Sequence, residues 1–200
     1  MLEHDDQQQA VDEAIIERCM AGDQLGFTEL YERYAASVYR LCNTLLNTQE
    51  DAEDVVQESF VYAFKNIDRF DSDRATFKTW LFTIAVSRCR NMYRRKQFPL
   101  VALSAALQLR LPSSSGEHPE TALAQSNVRD AVEEAVRSLA PHLREPLVLR
   151  YAHGLTYREI AEIMGCPQKT AESRVRLAHQ KLRKIMQGQG RSLLEEILLI

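Results

Sequence analysis

Leu155 to Met186 reads LTYREIAEIMGCPQKTAESRVRLAHQKLRKIM, and this stretch decides the fold. Thr156-Tyr157-Arg158-Glu159 has the Thr-x-x-Glu form of a capping box, in which a hydroxyl and a carboxylate satisfy first-turn amides, so a helix opens here and continues through Met164. Gly165 accepts the left-handed conformation that ends a helix, and Pro167 suits the first turn of the next. In that second helix Ala171, Val175, Ala178, Leu182 and Ile185 recur at spacings of three and four, which predicts one inward face. Lys169, Glu172, Ser173, Arg176 and Gln180 then point outward, with Thr170 and Arg174 at the flanks. A short helix, a tight glycine turn and a longer polar-faced helix are the parts of a helix-turn-helix, which presents its second helix to the major groove of DNA. Residues near the start of that helix reach base edges, while Lys181, Arg183 and Lys184 reach phosphates. A helical hairpin whose charged face is merely solvated also fits this segment taken alone, so the rest of the chain has to decide.

Upstream, helical periodicity is nearly continuous. Phe27, Leu30, Tyr31, Tyr34, Val38, Leu41 and Leu45 form one apolar stripe, Ala52, Val55, Val56, Ser59, Phe60, Ala63, Phe64 and Ile67 a second, and Phe77, Trp80, Leu81, Ile84, Ala85, Cys89 and Met92 a third. Trp80 sits on its stripe and reads as core rather than as a platform for a base. No stretch alternates as a strand would. The expected fold class is all-α: an N-terminal helical domain over residues 11–97, a flexible linker over 98–126, and a C-terminal helical domain over 127–187 that carries the helix-turn-helix. The linker rests on Pro99, Pro112, Ser113-Ser114-Ser115-Gly116 and Pro119, and it is too long for an ordinary loop inside one compact domain. A tail at 188–200 is unusually apolar (Leu193, Leu194, Ile197, Leu198, Leu199, Ile200) and reads as a cover for the C-terminal domain or as a partner contact.

Composition narrows the function. The 200 residues are 45% hydrophobic and 26% charged, an ordinary globular balance. No apolar run approaches the roughly 20 residues that span a bilayer, and the acidic start is unlike a secretory signal, so a cytoplasmic protein without membrane insertion is expected. Cys19, Cys42, Cys89 and Cys166 are scattered and offer neither a zinc set nor a disulfide framework. No glycine-rich phosphate loop, His-Glu-x-x-His or clustered nucleophile and base is present, which argues against an enzyme and implies no cofactor and no metal. The net charge of -3 says little, but its distribution says more. Glu50 to Glu58 holds five acids and no base, Arg88 to Lys96 five bases and no acid, and Gln168 to Lys184 six bases against Glu172 alone. That pattern predicts two anion-contacting surfaces and a separate acidic one.

The segments Leu139-Ala140-Pro141-His142-Leu143-Arg144-Glu145-Pro146-Leu147-Val148-Leu149-Arg150-Tyr151 and Gly154 to Gly165, continued by Pro167, Thr170, Ser173-Arg174-Val175 and Ala178, closely resemble the sigma-four domain of the extracytoplasmic-function sigma factors, a group of the sigma-70 family. Independently, Asp51 to Phe60 (DAEDVVQESF) and Thr79 to Ala85 with Arg94-Arg95-Lys96 resemble the sigma-two domain. The resemblance runs from about Ile15 to Met186, and no counterpart of the larger middle domain of primary sigma factors is present. It implies a non-catalytic subunit that binds core RNA polymerase and directs promoter-specific initiation. On that reading Asp51, Asp54, Gln57 and Glu58, left free by the inward stripe, dock on the clamp helices of the largest subunit. The C-terminal domain meets the flap of the second-largest subunit. Lys78, Arg88, Asn91, Arg94 and Arg95 contact the minus-ten element, whose flipped bases the loop Phe70 to Thr76 would capture. Lys169, Thr170, Glu172, Ser173, Arg174 and Arg176 contact the minus-thirty-five element. The linker threads the polymerase cleft, and an anti-sigma factor holds the protein inactive.

The family often has a small residue and a base where Lys169 and Glu172 stand, and an aromatic where Arg176 stands, so the promoter sequence is this chain's own. A stand-alone helix-turn-helix regulator is the rival. It accounts for Leu155 to Met186 but leaves the acidic stretch, the second basic helix and the long linker without a purpose, while an adaptor with no DNA contact leaves both basic stretches unexplained.

Overall fold

The computed structural model describes residues 2–46, 48–107 and 125–187. Within them the chain is helical: α1 Leu2–Met20, α2 Gln24–Leu45, α3 Gln49–Lys65, a 3-10 turn Ile67–Arg69, α4 Phe77–Leu107, α5 Gln125–Ser138, α6 Pro141–Tyr151, α7 Tyr157–Met164 and α8 Gln168–Met186. The starts of α2 and α3 are explained locally. Asp23 caps α2 by accepting from Leu25 N at 2.9 Å, and Thr48 caps α3 by accepting from Asp51 N at 3.3 Å, with Glu50 and Asp51 in the first turn where the helix dipole favours acids. α4 runs ten residues past Gln97, through Pro99, where the sequence reading ended the N-terminal domain. A proline removes one helical hydrogen bond, but the Ala- and Leu-rich residues that follow are strong helix formers extending a helix already nucleated. At its other end Gln125 and Ser126, the last two residues of the expected linker, already belong to α5, while 108–124 and the tail 188–200 lie outside the described residues.

The three stripes converge as their spacing requires. Leu30, Val38, Leu41, Ala52, Val55, Ala63, Leu81 and Ala85 are fully buried between α2, α3 and α4. Trp80 packs at 5.5 Å from the ring of Phe70 and 5.8 Å from that of Phe77, inside an aromatic cluster. α1 lies along α2, held by an ion pair between Arg33 Nε and Asp12 Oδ1 at 2.7 Å. Gly26 permits the close approach, since a Cβ there would sit 3.0 Å from Cys19 Sγ and 3.3 Å from the Ile15 carbonyl oxygen.

The C-terminal helices pack against the N-terminal ones along a second face of α4. Thr79, Phe82, Val86 and Arg90 recur at three and four residues, opposite the stripe that faces α2 and α3. Thr79 Oγ1 donates to Glu159 Oε1 at 3.4 Å. The ring of His153 stands edge-on to Phe82 with centroids 4.9 Å apart. Arg90 donates to both carboxylate oxygens of Glu145, at 2.6 to 3.2 Å. Phe82 and Val86 are fully buried as a result.

His153 plugs this junction. It is buried, Ser37 Oγ lies 3.4 Å from its Nδ1, Lys78 Nζ donates to its carbonyl oxygen at 3.0 Å, and its Nε2 has no partner. Burial, and after it the positive charges of Lys78 and Arg40, push its pKa down from 6.5 to about 4. A base depressed in the folded state contributes stability that is complete above the unfolded value and is lost as pH falls through the folded one. The junction should therefore lose on the order of 3 kcal/mol between about pH 6.5 and 4. Urea unfolding at pH 7 and 4.5 measures this. His153→Gln should show a smaller acid loss than the unaltered chain, and equal losses would remove His153 from the account.

Candidate nucleic-acid interface

The helix-turn-helix forms as its residues dictate. Glu159 N donates to Thr156 Oγ1 at 3.3 Å, and Thr156 N donates to Glu159 Oε2 at 2.7 Å, which completes the capping box. Gly165 takes φ 61 and ψ 43, so the chain can turn without the Cβ clash of a left-handed residue. Its neighbour Cys166 N donates back to the Ala161 carbonyl at 3.0 Å. Pro167 stands at the cap rather than in the first turn, and α8 begins at Gln168.

Ala171, Val175 and Ala178 are buried as expected, and Leu182 half so. Ile185 is 46% exposed and Met186 takes the inward seat. At 3.6 residues per turn positions 185 and 186 lie about equally far to either side of the line through Ala171, Val175, Ala178 and Leu182, so spacing alone does not choose between them. Of the six residues expected to read DNA, Lys169 and Arg176 are exposed, while Thr170, Glu172, Ser173 and Arg174 are half-buried. Glu172 accepts from Gln168 Nε2 at 2.9 Å, one turn back on α8.

On α4 the candidates separate. Asn91, Arg94 and Arg95 are exposed together on its later turns, with Arg94 Nη2 donating to Asn91 Oδ1. Arg88 is bound to α3: its Nη1 lies 2.9 Å from Glu58 Oε2, and its guanidinium stacks 5.0 Å over the Tyr62 ring. Lys78 faces the C-terminal helices, bonded to the His153 carbonyl and 5.8 Å over the Phe82 ring.

The acidic stretch is corrected in part. Asp51 is only 8% exposed and holds Lys96 Nζ at 2.6 Å, so it is not free for a partner. Burial pushes its carboxyl up, but Lys96 and Thr48 outweigh that and hold it below the ordinary carboxylate value. Glu58 is exposed but paired with Arg88. Asp54 and Gln57 are exposed as expected. The basic run of α4 is thus less naked than its sequence implies, since Arg88, Arg90 and Lys96 all pair with acids from other helices. An exposed pair such as Arg88–Glu58 contributes about 0–1 kcal/mol, so it is readily exchanged for contacts to a partner.

Beside Gln57 lies a groove of about 520 Å³ between α2 and α3, walled by Tyr31, Tyr39, Val56, Phe60 and Val61. Tyr31 and Val61 are each 45% exposed. The sequence reading assigned Tyr31 to the core because it lies on the stripe; its position at the stripe's edge was the available signal. An apolar groove rimmed by Glu53 and Gln57 fits a partner surface of mixed apolar and basic character.

Two family profiles match the chain: Sigma-70 region 2 over residues 30–98 and Sigma-70, region 4 over residues 129–182. The ECF RNA polymerase sigma-E factor of Salmonella typhimurium is 34% identical over 181 residues, covering 88% of this chain and 94% of that protein. Among solved structures, CnrH in complex with the cytosolic domain of CnrY shares the fold, with a TM-score of 0.67 and 24% identity over 90% of this chain and 99% of that one. The sigma factor RpoE of Bartonella quintana, in complex with the anti-sigma factor NepR, matches with a TM-score of 0.62 and 24% identity over 82% of this chain and 98% of that one. With two region profiles in order and a relative matched along nearly its whole length, the chain belongs to the extracytoplasmic-function group of RNA polymerase sigma factors, which direct transcription initiation and are not enzymes.

Proposed function

We propose that the chain docks on the clamp helices of the largest polymerase subunit through the α2–α3 face, with Gln57 at the apolar groove and Asp54 exposed on the same helix. The later turns of α4, with Asn91, Arg94 and Arg95, meet the minus-ten element, and the C-terminal domain meets the flap and reads the minus-thirty-five element with the start of α8. The observation that carries this reading is the capped helix-turn-helix that turns Lys169 and Arg176 out to solvent. Elements about 25 base pairs apart lie roughly 85 Å apart on B-DNA at 3.4 Å per pair. Domains in contact through Phe82, His153 and the Arg90–Glu145 pair do not span that distance, so the junction opens when promoter DNA is engaged. Closure of the junction suits an idle state, in which an anti-sigma factor of the kind that binds the Bartonella relative would hold the chain. Among the described residues no helix is long and apolar enough to cross a membrane, in keeping with work beside the polymerase in the cytoplasm.

Arg176 tests the base-reading role. Arg176→Ala should reduce holoenzyme transcription about 5- to 150-fold at promoters where Arg176 meets a base, corresponding to about 1–3 kcal/mol for a lost base contact, and should spare promoters that differ there. Transcription from a panel of minus-thirty-five variants measures it. An equal loss at every promoter would assign Arg176 to the phosphate backbone instead.

A further inference from the structure

Where α4, α6 and α8 meet, a cavity of about 610 Å³ opens at the junction of the two domains. That volume lies in the range of small-molecule sites, about 300–1,000 Å³. Arg94 from α4, Arg144 from α6 and Arg174 from α8 line it, and Arg90 and Glu145 share the wall. Arg90 is already neutralised by the two-oxygen contact with Glu145. Among the described residues, none of the other three has a carboxylate at ion-pairing distance.

Arg144 is the telling member. It is only 4% exposed, its Nη1 donates to the Arg137 carbonyl at 3.1 Å, and its Nε is buried with no acceptor. Burial pushes its guanidinium below the usual arginine value, outweighing the opposing pull of Tyr93 and Glu145, which marks a charge taken out of water with incomplete compensation. A water molecule would satisfy the nitrogen but not the charge. Guanidinium forks match phosphate oxygens in pairs of parallel hydrogen bonds, and three of them from three helices match a multiply charged group. Tyr93, Leu45 and Met164 supply an apolar wall on the same cavity, suited to a flat organic body attached to that group.

We propose that this cavity binds a small phosphate-bearing anion of nucleotide size, which bridges the two domains and holds them closed. Binding itself does not depend on the promoter assignments made above. One consequence does: Arg94 and Arg174 are assigned to minus-ten and minus-thirty-five DNA, so an occupant of the cavity and promoter DNA would compete for the same two side chains.

The test uses the purified full chain, with metal-free ATP and inorganic pyrophosphate as probes at fixed ionic strength in titration calorimetry. ATP should bind saturably, one per chain, at least 10-fold more tightly than pyrophosphate, which lacks the body that meets the apolar wall. Arg94→Gln and Arg174→Gln should each weaken ATP binding at least 10-fold. The control Arg95→Gln/Arg176→Gln, which removes two exposed bases outside the cavity, should change it less than 2-fold. Arg94 is exposed, so its variant decides the matter should Arg174→Gln fail to fold. No saturation by either probe at millimolar concentration overturns the proposal. So does an equal loss in the control variant, which would show general attraction to a basic surface, and so does capture of an acidic peptide but not of ATP. Because polymerase is absent from the assay, failure here leaves the sigma-factor reading standing.

Discussion

Asp54→Lys should lower the affinity of this chain for core RNA polymerase at least about 30-fold, the loss of roughly 2 kcal/mol that marks a residue at the centre of an interface. The chain should keep its melting temperature. Asp54 is exposed on the second turn of α3, and among the described residues no ion-pair partner claims it, in contrast to Asp51 and Glu58. Reversing its charge leaves the fold untouched and sets like against like at a basic docking surface, where such a juxtaposition costs several kcal/mol. The loss should be equal at all promoters, because core binding precedes promoter choice. Fluorescence titration of labelled chain with core enzyme measures it, and an unchanged dissociation constant would move the docking surface off α3. Asp51 is the informative contrast. Substituting it removes the Lys96 pair and a first-turn acid, so its effect should appear in stability as well as in binding.

Phe82→Ala should destabilise the chain by about 3–5 kcal/mol, the usual cost of truncating a buried aromatic, and lower its melting temperature by about 6–20 °C for a chain of this size. The expectation depends on how the domains meet. Phe82 lies on the face of α4 opposite the stripe packed on α2 and α3, and its full burial includes the edge-on contact with His153. If the domains moved independently, Phe82 would lie on an open surface and its loss would cost under about 0.5 kcal/mol. Calorimetric melting of the full chain separates the two cases by a wide margin.

The legible parts of the fold were those governed by neighbours in sequence. The capping box at Thr156, the turn at Gly165 and the inward stripes of α2 and α3 depend on residues three or four apart, and the chain folds there as read. What was not legible depends on distant contacts. Phe82 and Val86 fell outside the α4 stripe because a second layer of helices, absent from any local window, buries them. The two oppositely charged runs, 50–58 and 88–96, looked like separate partner surfaces. Folding sets α3 beside α4 and closes the Arg88–Glu58 and Lys96–Asp51 pairs between them, so part of the charge faces inward. The Arg90–Glu145 contact joins residues 55 positions apart, beyond the reach of any count along the chain. The groove at Tyr31 escaped for a related reason: an aromatic at the edge of a stripe has the same spacing whether it is covered or open.

The central claim is that the chain gives core polymerase its promoter choice, and transcription from genomic promoter fragments by core enzyme plus purified chain tests it most directly. Initiation at discrete start sites, present only with both components and lost with Asp54→Lys, is the predicted result. Folded chain that neither binds core enzyme nor yields defined start sites, but protects duplex DNA by itself, would contradict the account and assign the helix-turn-helix to a stand-alone regulator.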